Sequence, residues 1–194
     1  MTHSDEPSLL RAWVDESGSI HSLDPGTYVL AAAIGPVASE QDIRATMQQL
    51  RLPGQKKLHW RDERPLRHRK ISSVIAGLEQ THLVVVRTSD PRDTPKRQRN
   101  KCLERLVIEL EALRVAQVTF ESRGPADDRR DLELVQALRG VHRLGSGLRI
   151  HHQPGPSEPL LWIPDAVCGA VTSARTSTGE YLDALGERVT IIQI

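Results

Sequence analysis

Three acidic residues stand where a chain changes direction. Asp15 closes the run AWVD, Glu121 closes AQVTFE, and Asp165 follows Pro164 in LLWIPDAVCGAV. Drawn together in a partly dry pocket, three carboxylates would raise one another's pKa, so bare anions would resist convergence. A hard divalent cation removes that conflict, because Mg²⁺ or Mn²⁺ takes oxygen ligands from a few carboxylates, water and substrate phosphate. Two such ions about 4 Å apart can activate water and stabilise the leaving oxygen of a phosphodiester. Asp15, Glu121 and Asp165 are therefore the expected metal ligands and catalytic residues. Asp128, in DDRRD, is the candidate for a fourth ligand, although it suits the start of a helix equally well. Candidates for substrate contact are Lys57, His59 and Arg67 in KKLHWRDERPLRHRK, and Arg123 just beyond Glu121. Glu16 falls on the face opposite Asp15 if the strand continues through it.

Positioning these groups requires strands that end at one rim. LLRAWVDE and TYVLAAAIG read as two strands joined through SGSIHSLDPG, whose Asp-Pro-Gly supplies turn chemistry. A helix is predicted from Ser39 through Leu50, and a second from the spacing of Ile71, Val74, Ile75 and Leu78, followed by the strand HLVVVRTS. Leu103, Leu106, Val107, Leu110 and Leu113 form one stripe between about Lys96 and Arg114 and lead into RVAQVTFES. In that strand, alternation sets Val115, Gln117, Thr119 and Glu121 on one face. A helix from Asp127 to His142 is expected to turn Leu134, Leu138 and Val141 inward. GLRIHH, a Pro-rich loop, a helix starting at Pro164 and a closing strand in RVTIIQI complete the order. A hairpin followed by alternating helices and strands predicts an α/β fold. Its mixed sheet would be antiparallel along a hairpin edge and parallel elsewhere, with helices flanking it. In such sheets ligands gather beyond the carboxyl ends of the strands, where Asp15 and Glu121 lie.

At 194 residues the chain can bury one substantial core. We expect one domain over 1–194, with its core at about 11–175 and 176–194 adding a strand. A net charge of +1 excludes whole-molecule attraction to nucleic acid. Any such binding must rely on the basic runs Lys56 to Lys70 and Pro91 to Lys101. Cys102 and Cys168 have no CxxC spacing, and no apolar run is long enough to span a bilayer. A reducing, cytoplasmic location without membrane attachment is expected.

VDESGS closing a first strand, LHW after the first helix, FESRG with DDRRD behind it, and the late LLWIPDAVCGAV together resemble the bacterial family known as domain of unknown function 3800. The similarity runs from about Trp13 to Ala174. It implies an RNase H-like sheet whose acids bind divalent metal for nuclease chemistry. By position Asp15 matches the family's first-strand aspartate and Asp165 its late helical aspartate, while Glu121 stands where the family more often has aspartate. The resulting expectation is a Mg²⁺- or Mn²⁺-dependent phosphodiesterase, a nuclease acting on DNA or RNA. The alternative is a catalytically inactive RNase H-like module that binds nucleic acid or protein.

Overall fold

The computed structural model describes residues 9–18, 23–88 and 93–194. Residues 19–22 of the predicted turn, Ser89 of the predicted third strand, and Pro91 and Arg92 of the second basic run lie outside them. Six strands form one mixed sheet in the order β5-β4-β1-β2-β3-β6. They are β1 (Leu10–Gly18), β2 (Thr27–Pro36), β3 (Thr81–Thr88), β4 (Val115–Glu121), β5 (Arg149–Gln153) and β6 (Val189–Gln193). β1, β2 and β3 pair antiparallel, whereas β4 lies parallel to β1, β5 to β4, and β6 to β3. The mixed sheet agrees with the expectation in kind, but the hairpin lies at its centre rather than along an edge. The reason is that β1 accepts β4 on its other side, so only β5 and β6 keep an open flank.

Among the described residues six α-helices cover the two faces: α1 (Glu40–Leu50), α2 (Pro65–Ala76), α3 (Pro95–Ala112), α4 (Pro125–Gly140), α5 (Trp162–Thr176) and α6 (Glu180–Leu185). The alternation of β2 explains why both faces fill. Ala31 and Ala33 point into a core built with α1, α2, α5 and α6, and Leu30, Ala32 and Ile34 into one built with α3 and α4. All three alanines are fully buried, and their small side chains let helices press on the sheet from both sides. Thr94 caps α3 by accepting the Arg97 N–H. Arg175, near the end of α5, holds Asp24 at 2.6 Å and also donates to Thr27, fixing the start of β2.

Three local expectations are corrected. A register shift opposite Leu10 and Arg11 puts Val115 into the same core as Val118 and Phe120, so strict alternation holds only after the bulge. Val141 is 63% exposed because α4 stops at Gly140, and Val135 takes the inward position instead. The short α6 lacks a long apolar stripe and was not anticipated; it buries Tyr181 and Leu185.

His82 of β3 is buried, and among the described residues its ring nitrogens have no hydrogen-bonding partner. Burial, with the nearby Arg188 charge, holds its pKa down at about 4 against an ordinary 6.5. Below pH 6.5 the unfolded chain takes up a proton that the folded chain refuses, so stability falls as pH drops from 6.5 toward 4. The loss expected is about 3 kcal/mol. Urea denaturation at pH 7 and pH 4.5 should show a markedly smaller loss for His82→Leu than for the parent. Equal losses would remove His82 from this account.

Candidate active site

β1 and β4 are adjacent and parallel, and Val14 pairs with Phe120. The next residue on each strand, Asp15 and Glu121, therefore projects from the same level of the sheet onto the same face. Trp13 on that face is buried against the α5 side, whereas Val14 and Phe120 face α3 and α4. The backbone N–H of Glu16 donates to Asp15 Oδ1 at 2.8 Å and fixes the carboxylate at the strand end. Gly155 makes room for Glu121: a Cβ there would lie 2.4 Å from Glu121 Oε1.

The third acid arrives from above. α5 packs across β1 and β2, and Cys168 donates its thiol to the Asp15 carbonyl at 3.5 Å, which brings Asp165 over the strand end. The backbone N–H of Trp60 donates to Asp165 Oδ2 at 2.7 Å. Trp60 is itself wedged in place, stacked on His68 with ring centroids 3.9 Å apart and meeting Tyr181 edge-on. His59, between the buried Leu58 and Trp60, turns toward the acids, with Nε2 3.8 Å from Asp165 Oδ1 and Nδ1 3.3 Å from Asp62. Gly169 admits the indole, since an added Cβ would fall 2.2 Å from Trp60 Cδ1. Gly169→Ala should therefore destabilise the protein by about 1–3 kcal/mol in urea denaturation. A change within about 0.5 kcal/mol would show that Trp60 is not held by this contact.

The electrostatics follow from this crowding. Burial, then the charges of Asp165 and Glu121, push the Asp15 carboxyl up to about 9, against the pull of the Glu16 N–H and Lys57. Burial also raises Asp165, opposed by the Trp60 N–H, His59 and Lys57. For Lys57 burial works against the ammonium, but the Glu121 hydrogen bond and the three carboxylate charges outweigh it and hold the amine charged. Lys57 Nζ meets Glu121 Oε1 at 2.6 Å, while Glu121 Oε2 is buried without a hydrogen-bonding partner among the described residues. A polar atom stranded in this way, among oxygens that raise each other's pKa, suits a hard cation. Among the described residues no group of three or more aspartate, glutamate, histidine or cysteine side chains is arranged so that it could hold a metal ion as it stands. The three carboxylates act on one another through their charges. Beside them a cleft of about 240 Å³ is lined by His59, Trp60, Arg61, Asp165, Thr172 and Ser173, among others.

Solved structures share this arrangement of sheet and helices. A chain of the PCNA:RNase HII complex from Archaeoglobus fulgidus aligns with a TM-score of 0.56 at 16% identity, over 86% of this chain and 74% of that one. The fold is RNase H-like. Ribonuclease H2 from Pyrococcus horikoshii OT3 aligns at 0.52 with 16% identity, again over 86% and 74%. Bst-RNase HIII in complex with Mn²⁺ aligns at 0.53 with 16% identity, over 87% of this chain and 53% of that one. No protein-family model matches the sequence, and no curated protein matches it. Among the described residues no helix of this RNase H-like chain is long and apolar enough to cross a membrane.

The RNase H-like sheet brings together Asp15, Glu121, Asp165, Lys57 and His59 and leaves the other candidates elsewhere. Asp128 takes the helix-start role rather than joining the three acids: its oxygens accept from the Ser122 hydroxyl at 2.6 Å and the Arg123 N–H at 3.1 Å, closing the turn into α4. At that turn Gly124 has φ +106°, a conformation suited to glycine. Arg123 reaches the opposite face and lies 3.4 Å from Glu16. Arg67 ties the loop after α1, donating to the Leu50 carbonyl and to Glu63. In the second basic run Arg99 is buried between Glu16 and Asp131. The local charge of both runs is thus partly consumed by intrachain partners. Sequence reasoning missed Trp60 as the group that orients Asp165; its signal was the apolar pair Leu58 and Trp60 flanking His59. Gly155, which seats Glu121, carries no comparable signal.

Proposed function

We propose that this chain is a divalent-metal-dependent nuclease in which Asp15, Glu121 and Asp165 hold Mg²⁺ or Mn²⁺. The observation that carries the proposal is the partnerless, buried Glu121 Oε2 beside Asp15 and Asp165, whose pKa values are raised. RNase HII and RNase HIII are the neighbours in fold, and the RNase HIII structure is described as a Mn²⁺ complex. Membership in domain of unknown function 3800 belongs to the same proposal and rests on VDESGS, FESRG and the late PDAVCGAV.

In this reading Glu121 and Asp15 hold their carboxylates level on neighbouring strands, and the Trp60 N–H prevents Asp165 from rotating away. A bound divalent ion would polarise the scissile phosphate and lower the pKa of a bound water. His59, on the cleft wall, places Nε2 3.8 Å from Asp165 Oδ1, beside the acids. Arg61, beside it, supplies positive charge for a substrate phosphate. The test is cleavage of single-stranded, duplex and hybrid DNA and RNA, with and without Mn²⁺. Cleavage should need the ion and vanish in Asp165→Asn; undiminished cleavage by that variant would sink the assignment.

A second reading, a binding module with a degenerate site, draws on the Lys57 ammonium already bonded to Glu121. It predicts nucleic-acid binding that weakens steeply with salt and no turnover with either ion.

A further inference from the structure

We infer that the site takes one divalent ion rather than two, with the Lys57 ammonium standing in for the charge of the second. This rests on the metal-dependent reading above and sharpens it. Lys57 is a half-buried side chain, 24% exposed, reaching in from the loop before Trp60. Its Nζ lies 2.6 Å from Glu121 Oε1, a charge-assisted hydrogen bond, and its charge acts on Asp15 and Asp165 as well.

The two oxygens of Glu121 have different surroundings. Oε1 is taken by the ammonium, and Oε2 is buried with no partner. A carboxylate that bridges two metal ions offers one oxygen to each. Here one oxygen already faces a cation carried by the chain, which leaves the other for a single ion. Charge balance agrees. Once an ion displaces the Asp15 proton, three carboxylates and one ammonium leave two negative charges, which one divalent ion neutralises. A second ion would make the group positive overall and would lie against the Lys57 ammonium, a like-charge contact that a partly dry site magnifies. Nor do the other nearby acids offer a second shell of oxygens: Asp128 is used in the turn before α4, and Glu16 and Asp131 bind Arg99 on the far face of the sheet.

The inference is tested by titrating the purified protein with MnCl₂, following heat and the electron paramagnetic resonance of bound Mn²⁺. The parent should bind one ion per chain with the spectrum of an isolated Mn²⁺. Lys57→Met should bind two, with a spin-coupled spectrum, and Lys57→Arg should return to one. Two coupled ions in the parent would overturn the inference while leaving the metal-dependent reading intact; this needs no variant and so does not depend on variant folding. No bound ion in the parent would overturn both. One ion in both the parent and a folded Lys57→Met would show that the ammonium does not decide the stoichiometry, and would overturn the role given to Lys57.

Discussion

Asp15→Asn should reduce Mn²⁺-dependent cleavage by about a thousandfold and, in the same protein without metal, raise the melting temperature at pH 8. On the metal-dependent reading proposed above, the first effect follows from losing a carboxylate that would hold the ion, since a metal supplies several kcal/mol of transition-state charge stabilisation and each 1.4 kcal/mol is about tenfold in rate. The second follows from the site's own repulsion. Asp15 titrates at about 9 in the folded chain against an ordinary 3.8, because it is buried beside Asp165 and Glu121. Between those values the folded state holds a proton that the unfolded state releases, so stability falls as pH rises through that window. Asn carries no charge and removes that loss. The gain in melting temperature should therefore be large at pH 8 and disappear near pH 4. On the same reading, Mn²⁺ binding by the parent should strengthen as pH rises toward 9, because the ion would have to displace the proton. Calorimetric scans at the two pH values, with and without Mn²⁺, check both statements. A variant that cleaves normally, or that is no more stable at pH 8, would dissociate Asp15 from the cluster.

Arg99→Met should destabilise the protein by about 3–5 kcal/mol, because it strips the counter-charge from two acids on the reverse face. Arg99 is only 4% exposed; Nε donates to Glu16 Oε2 at 2.6 Å, NH2 to Asp131 Oδ2 at 2.8 Å, and NH1 also meets Asp131. Asp131 is buried as well. Burial disfavours its charge, but His152 and Arg99 more than compensate and hold its pKa below the usual carboxylate range. Removing the guanidinium leaves Asp131 charged in a buried setting and takes the closest counter-charge from the partly exposed Glu16, with Arg123 3.4 Å from Glu16 and 3.8 Å from Asp131. Replacing both partners should cost less than removing one, so Arg99→Met combined with Asp131→Leu should recover at least half of the lost stability. Urea denaturation of the two single variants and the double variant measures the coupling. A single-variant cost below about 1 kcal/mol would mean that water reaches the network and screens it.

Much of the fold was legible because its signals are local. Helical stripes such as Leu103, Leu106, Val107 and Leu110 and the apolar run of β3 fix element type with no knowledge of their neighbours. The expectation that Asp15 and Glu121 share a rim needed only that β1 and β4 be adjacent and parallel, and they are. Failures came where a long-range partner overrides a local pattern. Arg67, and the basic run that contains Arg99, read as substrate-facing because stretches of Lys and Arg look alike in one dimension, yet Leu50 and Glu63 claim Arg67, and Glu16 and Asp131 claim Arg99. Asp128 read as a ligand because acids near a strand end look alike, yet the turn into α4 uses both its oxygens.

The sequence by itself determined the inventory: which acids close strands, which helices are amphipathic, and that Asp15 and Glu16 must face opposite sides of an extended chain. That follows from the two-residue period of a strand, which is covalent geometry. Only the tertiary structure decided which acids share a site. It laid β4 against β1, brought α5 over their ends, fixed Asp165 with the Trp60 N–H and inserted Lys57 beside Glu121. Those placements depend on contacts between residues as many as 153 positions apart, such as the Cys168 thiol on the Asp15 carbonyl. Such pairings are set by packing and charge balance, not by any property of the segments read one at a time.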